Sequence, residues 1–295
     1  MQTSKLLGCV ALAGLCAAMP AWAQATSGAR IEMSWGGASV ARGSDPVRLA
    51  NHVEDSGISG LGLPYAMSAG ASADLASGEL KGSAMARAWD HAIFKTTIFD
   101  RITISGAPSS QVRIGISFAV DGTGDLDDVG DSNREFDFMA KLTAFPLNAS
   151  RIASSTYSHK WGLYTFNVGG SEIFESIPTG DVDVLKAEKG SFEVVLWNWL
   201  DVAIGPTGES APIDVQWWME GDASGTLSQG GGLAILDVSN TGHAGLVLPA
   251  GYSYTAESGV LLSAVPELSS VALVAVGGLA LLLTGGRGRV RRLQG

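Results

Sequence analysis

The densest run of oxygen donors in the chain is Asp121-Gly122-Thr123-Gly124-Asp125-Leu126-Asp127-Asp128-Val129-Gly130-Asp131-Ser132-Asn133. Carboxylates alternating along a glycine-rich stretch can wrap Ca²⁺, which takes roughly six to eight oxygens. The candidate ligands are Asp121, Asp125, Asp127, Asp128 and Asp131. The stretch does not follow the EF-hand pattern: counted from Asp125, Val129 and Phe136 fall where ligands belong, and strands rather than helices flank it. The plainer reading is a solvated hairpin turn.

The residues for nucleophilic hydrolysis are sparse. No Gly-x-Ser-x-Gly elbow occurs, and the four histidines, His52, His91, His159 and His243, stand in unrelated settings. Glycoside hydrolysis needs only two carboxylates across a bond, but no aromatic-plus-acid motif singles out a pair among the many acids. No catalytic residue is assigned. A glycine-rich phosphate loop is absent too, so nucleotide binding has no support.

Tryptophans carry the best hint of binding. Trp197 and Trp199 are two apart on an expected strand over 191–204 and therefore share a face. Phe192, Val194, Leu196, Leu200 and Val202 fall on the other face and supply the core. Two indoles beside Glu193 and Asp201 suit stacking on sugar rings, with Trp218 and Trp161 as extensions of that surface. The competing arrangement is a strand buried on both sides, or indoles covered by a loop.

The elements that must position these residues are strands. Val112, Ile114, Ile116, Phe118 and Val120 keep strict alternation, as do Phe136, Phe138, Ala140 and Leu142. Ile213, Val215, Trp217 and Met219 oppose Asp214, Gln216, Trp218 and Glu220. Period two over such lengths means half-buried strands. Further strands are expected around 30–35, 72–88, 92–105, 161–168, 191–204, 231–238, 244–249 and 252–263. Asp45 to Asp55 is expected to form at most a turn or two of helix. Many strands separated by Gly, Ser, Asp and Asn breakers give an all-β fold, a β-sandwich or jelly-roll-like single domain over 26–264.

Both ends read as addresses. Lys5 opens a short positive region, Leu6 to Met19 is apolar, and small residues at Ala21, Ala23 and Ala25 permit cleavage after Ala23 or Ala25. Residues 1–25 are thus expected to be a secretory signal peptide used by the Sec translocon. Cys9 and Cys16 leave with it, so the mature body has neither disulfide nor thiolate metal site. A lipoprotein reading fails, because Leu15 precedes Cys16 where a small residue is needed. The body, 26–265, keeps fourteen Lys and Arg (nineteen less Lys5 and four tail arginines) against twenty-eight Asp and Glu (twenty-nine less Glu267). That acidity argues against nucleic acid as a partner.

Residues 265–295 form a second signal. Pro266-Glu267-Leu268-Ser269-Ser270 precedes an apolar run from Val271 to Thr284, followed by Arg287, Arg289, Arg291 and Arg292. As a helix the fourteen-residue run covers about 21 Å, short of the ~30 Å bilayer core. It spans only with local thinning or snorkelling flanks, and the arginines favour a cytoplasmic end. The alternatives are a buried core helix and an uncleaved tail anchor.

This arrangement resembles the PEP-CTERM family of bacterial C-terminal sorting signals, with Leu268 in place of the family's second proline. The resemblance implies a short transmembrane helix, removal of the tail by an exosortase, and a cell that makes extracellular polysaccharide. Ala71–Leu80, Phe99–Gly106, Asp237–Thr241 and Leu248–Tyr254 resemble segments common in bodies that carry this tail. The expected protein is an exported cell-surface or extracellular-matrix component, structural or adhesive. A carbohydrate-binding module, or a secreted glycan-acting hydrolase, is the alternative.

Overall fold

The computed structural model describes residues 27–35, 38–58, 64–127, 133–148, 152–164, 171–225 and 232–262. The expected leader and sorting tail lie outside the described residues. The compact unit ends at Leu261, which is buried.

The described residues are all-β, with two antiparallel sheets packed face to face. In chain order the strands are β1 (Gly28–Trp35), β2 (Ala38–Asp45), β3 (Arg48–Ile58), β4 (Pro64–Asp74), β5 (Glu79–Arg87), β6 (Trp89–Ser105), β7 (Gln111–Leu126) and β8 (Arg134–Pro146). They continue with β9 (Ala153–Tyr164), β10 (Ser171–Thr179), β11 (Asp181–Glu188), β12 (Ser191–Ala203), β13 (Ile213–Gly225), β14 (Leu233–Val247) and β15 (Ser253–Ala256). The first sheet runs β10-β9-β8-β13-β6-β1-β2, with β15 also on β6; the second runs β11-β12-β7-β14-β5-β4-β3. Among the described residues no helix is long and apolar enough to cross a membrane.

Alternation in the sequence sets which face each residue takes. Ile114, Ile116 and Phe118 on β7, Phe136, Phe138 and Leu142 on β8, and Ile213, Trp217 and Met219 on β13 are all buried between the sheets. Each such side chain taken from water contributes about 1.5–3 kcal/mol before entropy is counted. Glycines make room for the rings. Phe94 of β6 fills the space where a Cβ on Gly82 of the facing sheet would stand 2.0 Å away, and one on its neighbour Gly221 2.2 Å away. Polar groups also tie the layers together. Trp217 Nε1 donates to the Ser117 carbonyl at 2.8 Å, and Asn198 Nδ2 donates to the Leu142 and Ala153 carbonyls at 3.2 Å each.

Several expectations change. The 45–55 segment is not helical: Asp45 Oδ1 accepts from the Val47 and Arg48 amides, closing a turn. Beyond it β3 pairs with β4 along its whole length. The expected strand 72–88 is two strands, broken where Asp74 Oδ1 accepts from the Ala76 and Ser77 amides and Gly78 takes φ 72°. Segments 231–238 and 244–249 are one strand, β14, with a bulge between Val238 and Gly242. The strand expected at 161–168 starts earlier, at Ala153, and 165–168 lie outside the described residues. Of the described residues 252–262 only Ser253–Ala256 is strand, and 263 lies outside them. Strands β2, β10 and β11 have no counterpart among the expected strands; they are edge ribbons of the sheets, whose exposed faces leave little alternation to read.

The 121–133 stretch is not a hairpin turn. Its first half continues β7 to Leu126, and β8 belongs to the opposite sheet, so the chain crosses between layers here.

Candidate functional site

The outer face of the second sheet carries the tryptophan pair. Phe192, Val194, Leu196 and Val202 point into the core, which turns Glu193, Trp197, Trp199 and Asp201 outward. Trp199 is 40% exposed, so neither a second layer nor a described loop covers it. The two indoles stack with centroids 5.3 Å apart and planes 14° from parallel. Trp197 Nε1 donates to Asp183 Oδ2 on β11 at 3.1 Å, which fixes that ring. The Arg113 guanidinium lies 5.6 Å from the Trp199 ring centroid, within cation–π reach.

Register explains why the indoles have room. Trp199 is opposite Gly115 and Trp197 opposite Ser117 on β7, and these are opposite Val247 and Gly245 on β14. Trp199 leans over Gly115, where a Cβ would meet the ring at 2.8 Å. Small residues, Gly115, Ser117, Ala119 and Gly245, thus leave a shallow strip beside the aromatic pair. An exposed apolar platform with polar neighbours is the chemistry of a stacking site for a flat ligand.

The other two tryptophans do not extend this surface. Trp218 is on β13, facing outward from the first sheet, on the far side of the sandwich. Trp161 on β9 packs edge-on against Phe136, with Nε1 donating to Glu172 Oε1 at 2.8 Å. Residues i and i+2 share a face, but separate strands are brought to one surface only by sheet order.

In the described part of the acidic stretch, Asp121, Asp125 and Asp127 are not gathered round one point. Asp121 and Asp125 are four residues apart on an extended strand, about 13 Å, too far to share one ion. Asp127 Oδ1 accepts from Arg134 at 3.1 Å and from the Leu233 amide at 2.8 Å, a structural role. Asp128 and Asp131 lie outside the described residues. Among the described residues no group of three or more His, Cys, Asp or Glu is placed to hold a metal. Asp121 instead faces Glu193 across the β7/β12 ladder, and burial followed by that neighbouring charge raises its pKa.

A second cluster joins residues far apart in sequence. On the outer face of the first sheet His91 Nδ1 and Asp222 Oδ2 are 2.8 Å apart. Asp137 is directly opposite Asp222 in the β8/β13 ladder. Burial pushes Asp222 up to about 6, against the pull of His91, and burial raises Asp137 as well. For Glu135 burial acts upward, but hydrogen bonds from Tyr164 and Lys160 outweigh it and its pKa falls. The sequence signal for this cluster is an acidic residue on a strand's polar face at Asp137 and again at Asp222, which becomes a pair only once the register is known. His159, by contrast, is buried in the core with Tyr157 Oη 3.0 Å from its Nδ1, and His52 stands exposed on β3.

No protein-family model and no curated protein matches the chain. Among solved structures, the chain is compared with the Clostridium perfringens NetB toxin in its membrane-inserted form, at 6% identity over 71% of this chain and 94% of that one, with a TM-score of 0.14. Clostridium perfringens delta-toxin gives 8% identity over 77% and 92%, with a TM-score of 0.15. Overlaps this slight carry no argument about architecture or activity.

Proposed function

We propose that the chain is an exported bacterial surface or extracellular-matrix protein, structural or adhesive. Its β-sandwich body, jelly-roll-like in the way the chain passes repeatedly between sheets, is delivered by a cleavable leader through the Sec translocon. A tail processed by an exosortase then releases or attaches it. The observation that carries this reading is the order Pro266-Glu267, apolar run, Arg287–Arg292. The body's own contribution is that it closes before the tail: Tyr254 Oη donates to the Leu261 carbonyl at 2.9 Å, and the Glu257 amide donates to the Arg101 carbonyl at 2.8 Å. Intact mass of the protein from its native host, envelope and medium taken separately, tests it. Loss of the leader and of residues beyond about Pro266 supports the reading; a full-length C-terminus kept in the membrane refutes processing and leaves a tail-anchored β domain.

The exposed Trp197–Trp199 stack favours a second reading, in which the body binds extracellular polysaccharide. The exposed edge of the stacked pair meets the apolar side of a sugar ring, and Asp183 and Asp201 meet its hydroxyls. Glycan-array binding by the wild type that disappears in Trp197→Ala/Trp199→Ala supports this. Equal binding by the double variant removes the platform from consideration.

A further inference from the structure

The outer face of the first sheet holds a concavity of about 590 Å³ lined by Arg30, Glu32, Arg42, Ser44, Thr97 and Trp218, among others. Its three cations are not equivalent. Arg42 is held by Glu32 at 2.8 Å and Lys95 by Glu220 at 3.0 Å. Arg30 has no carboxylate within ion-pair distance among the described residues, and its Nε is buried without a hydrogen-bond partner. Its guanidinium instead rests 5.3 Å from the Phe99 ring centroid, which orients the fork without using its N–H groups.

Register places the rest of the site. Arg30 is directly opposite Thr97 on β6, and Thr97 is directly opposite Trp218 on β13. The Arg30 and Trp218 backbones are therefore two strand spacings apart, about 9.6 Å. That gap accommodates one pyranose ring with an exocyclic acid group. A planar guanidinium matches a carboxylate through two parallel N–H···O bonds, an indole offers a flat apolar face, and Thr97 supplies a hydroxyl between them, with Ser44 on the other side of Arg30.

We propose that this concavity is a binding site for an anionic sugar, its ring against Trp218 and its carboxylate on Arg30. The site is independent of the Trp197–Trp199 platform, which faces away on the other sheet. A ligand there needs no metal and undergoes no covalent step.

The test is titration of the ¹⁵N-labelled full chain with glucuronate, glucose and acetate, followed at the Trp218 indole resonance, which a Trp218→Phe spectrum identifies. Glucuronate is expected to shift that resonance saturably, with glucose and acetate each at least about tenfold weaker because each lacks one half of the recognition. Arg30→Met is expected to abolish the saturable shift. Arg30→Lys, which keeps charge and stem but loses the fork, is expected to weaken it, and Trp199→Ala to leave it unchanged. The proposal is overturned if glucuronate leaves Trp218 unmoved, if acetate binds as well as glucuronate, or if Arg30→Lys and Arg30→Met, folded by their amide spectra, bind like the wild type. Failure here leaves the platform reading untouched, since Trp199→Ala and the glycan array report on that one alone.

Discussion

Replacing Asp222 by Asn should stabilise the body at neutral pH and flatten its pH dependence. Asp222 lies on the outer face of the first sheet, opposite Asp137, with Glu135 nearby on the same strand and His91 2.8 Å away on β6. Burial is the main reason its pKa rises from 3.8 to about 6, and the neighbouring carboxylates add to it. A raised acid pKa means that the folded state binds its proton more tightly than the unfolded one. Above pH 6 the folded protein therefore carries an ionised Asp222 at a cost, and the cost vanishes as pH falls from 6 toward 3.8. A rise of that size corresponds to about 3 kcal/mol, an upper limit because the side chain is 26% exposed. Asn keeps the shape and a hydrogen bond to His91 without the charge. Urea denaturation of both proteins at pH 7 and pH 5 reads this directly. The wild type should gain stability on acidification, and Asp222→Asn should exceed it at pH 7 by about 1–3 kcal/mol, narrowing at pH 5. Asp137, also raised by burial, acts with the same sign and remains in the variant. Glu135, lowered, acts oppositely, but only as pH falls through its depressed pKa, below this window. A variant less stable than the wild type at pH 7, or a wild type equally stable at both pH values, would refute the reasoning.

Two further substitutions test the packing. Gly82→Ala places a methyl 2.0–2.4 Å from Phe94 ring atoms, and both partners sit between rigid sheets; a loss of about 1–3 kcal/mol or more in chemical denaturation is expected, partly recovered by adding Phe94→Leu. Asn198→Ala removes the donor to the buried Leu142 carbonyl and the part-buried Ala153 carbonyl, and one of two acceptors for Ser155 Oγ. At about 1–3 kcal/mol for an orphaned buried group, the same denaturation should show a loss in that range, and a near-neutral result would mean that water replaces the amide.

The long interior strands were legible because one face of each is buried and the other wet. Gln111–Leu126, Arg134–Pro146 and Ile213–Gly225 each contain an alternating run that the structure keeps and extends, and the strand expected over 191–204 is kept as Ser191–Ala203. Extension past Val120 was hidden by the Asp-Gly-Thr-Gly composition, which normally marks a turn. Here Gly122 and Gly124 are small because Phe192 and Phe136 occupy their Cβ positions, at 2.4 and 2.1 Å. These glycines are sockets for aromatic rings, not loop chemistry. Edge ribbons failed for the opposite reason: Arg48–Ile58 and Ser171–Thr179 are exposed almost throughout, so no burial contrast was imprinted on them.

The candidate sites divide along the same line. Side-chain parity within one strand is a local property, and it correctly puts Trp197 and Trp199 side by side on an outer face. Joining Trp218 and Trp161 to them required knowing sheet order, which parity does not contain. The order β11-β12-β7-β14 puts the indole pair beside Gly115 and Gly245 in one sheet, while Trp218 and Trp161 go to the other. The same ignorance hid the pairing of Arg30 with Thr97 and Trp218, and of His91 with Asp222, the latter separated by 131 positions in the chain. In an antiparallel sandwich with crossovers this frequent, neighbours on a face come from distant stretches. Chemistry that needs several strands is therefore written in the register, and a motif search along the chain passes over it.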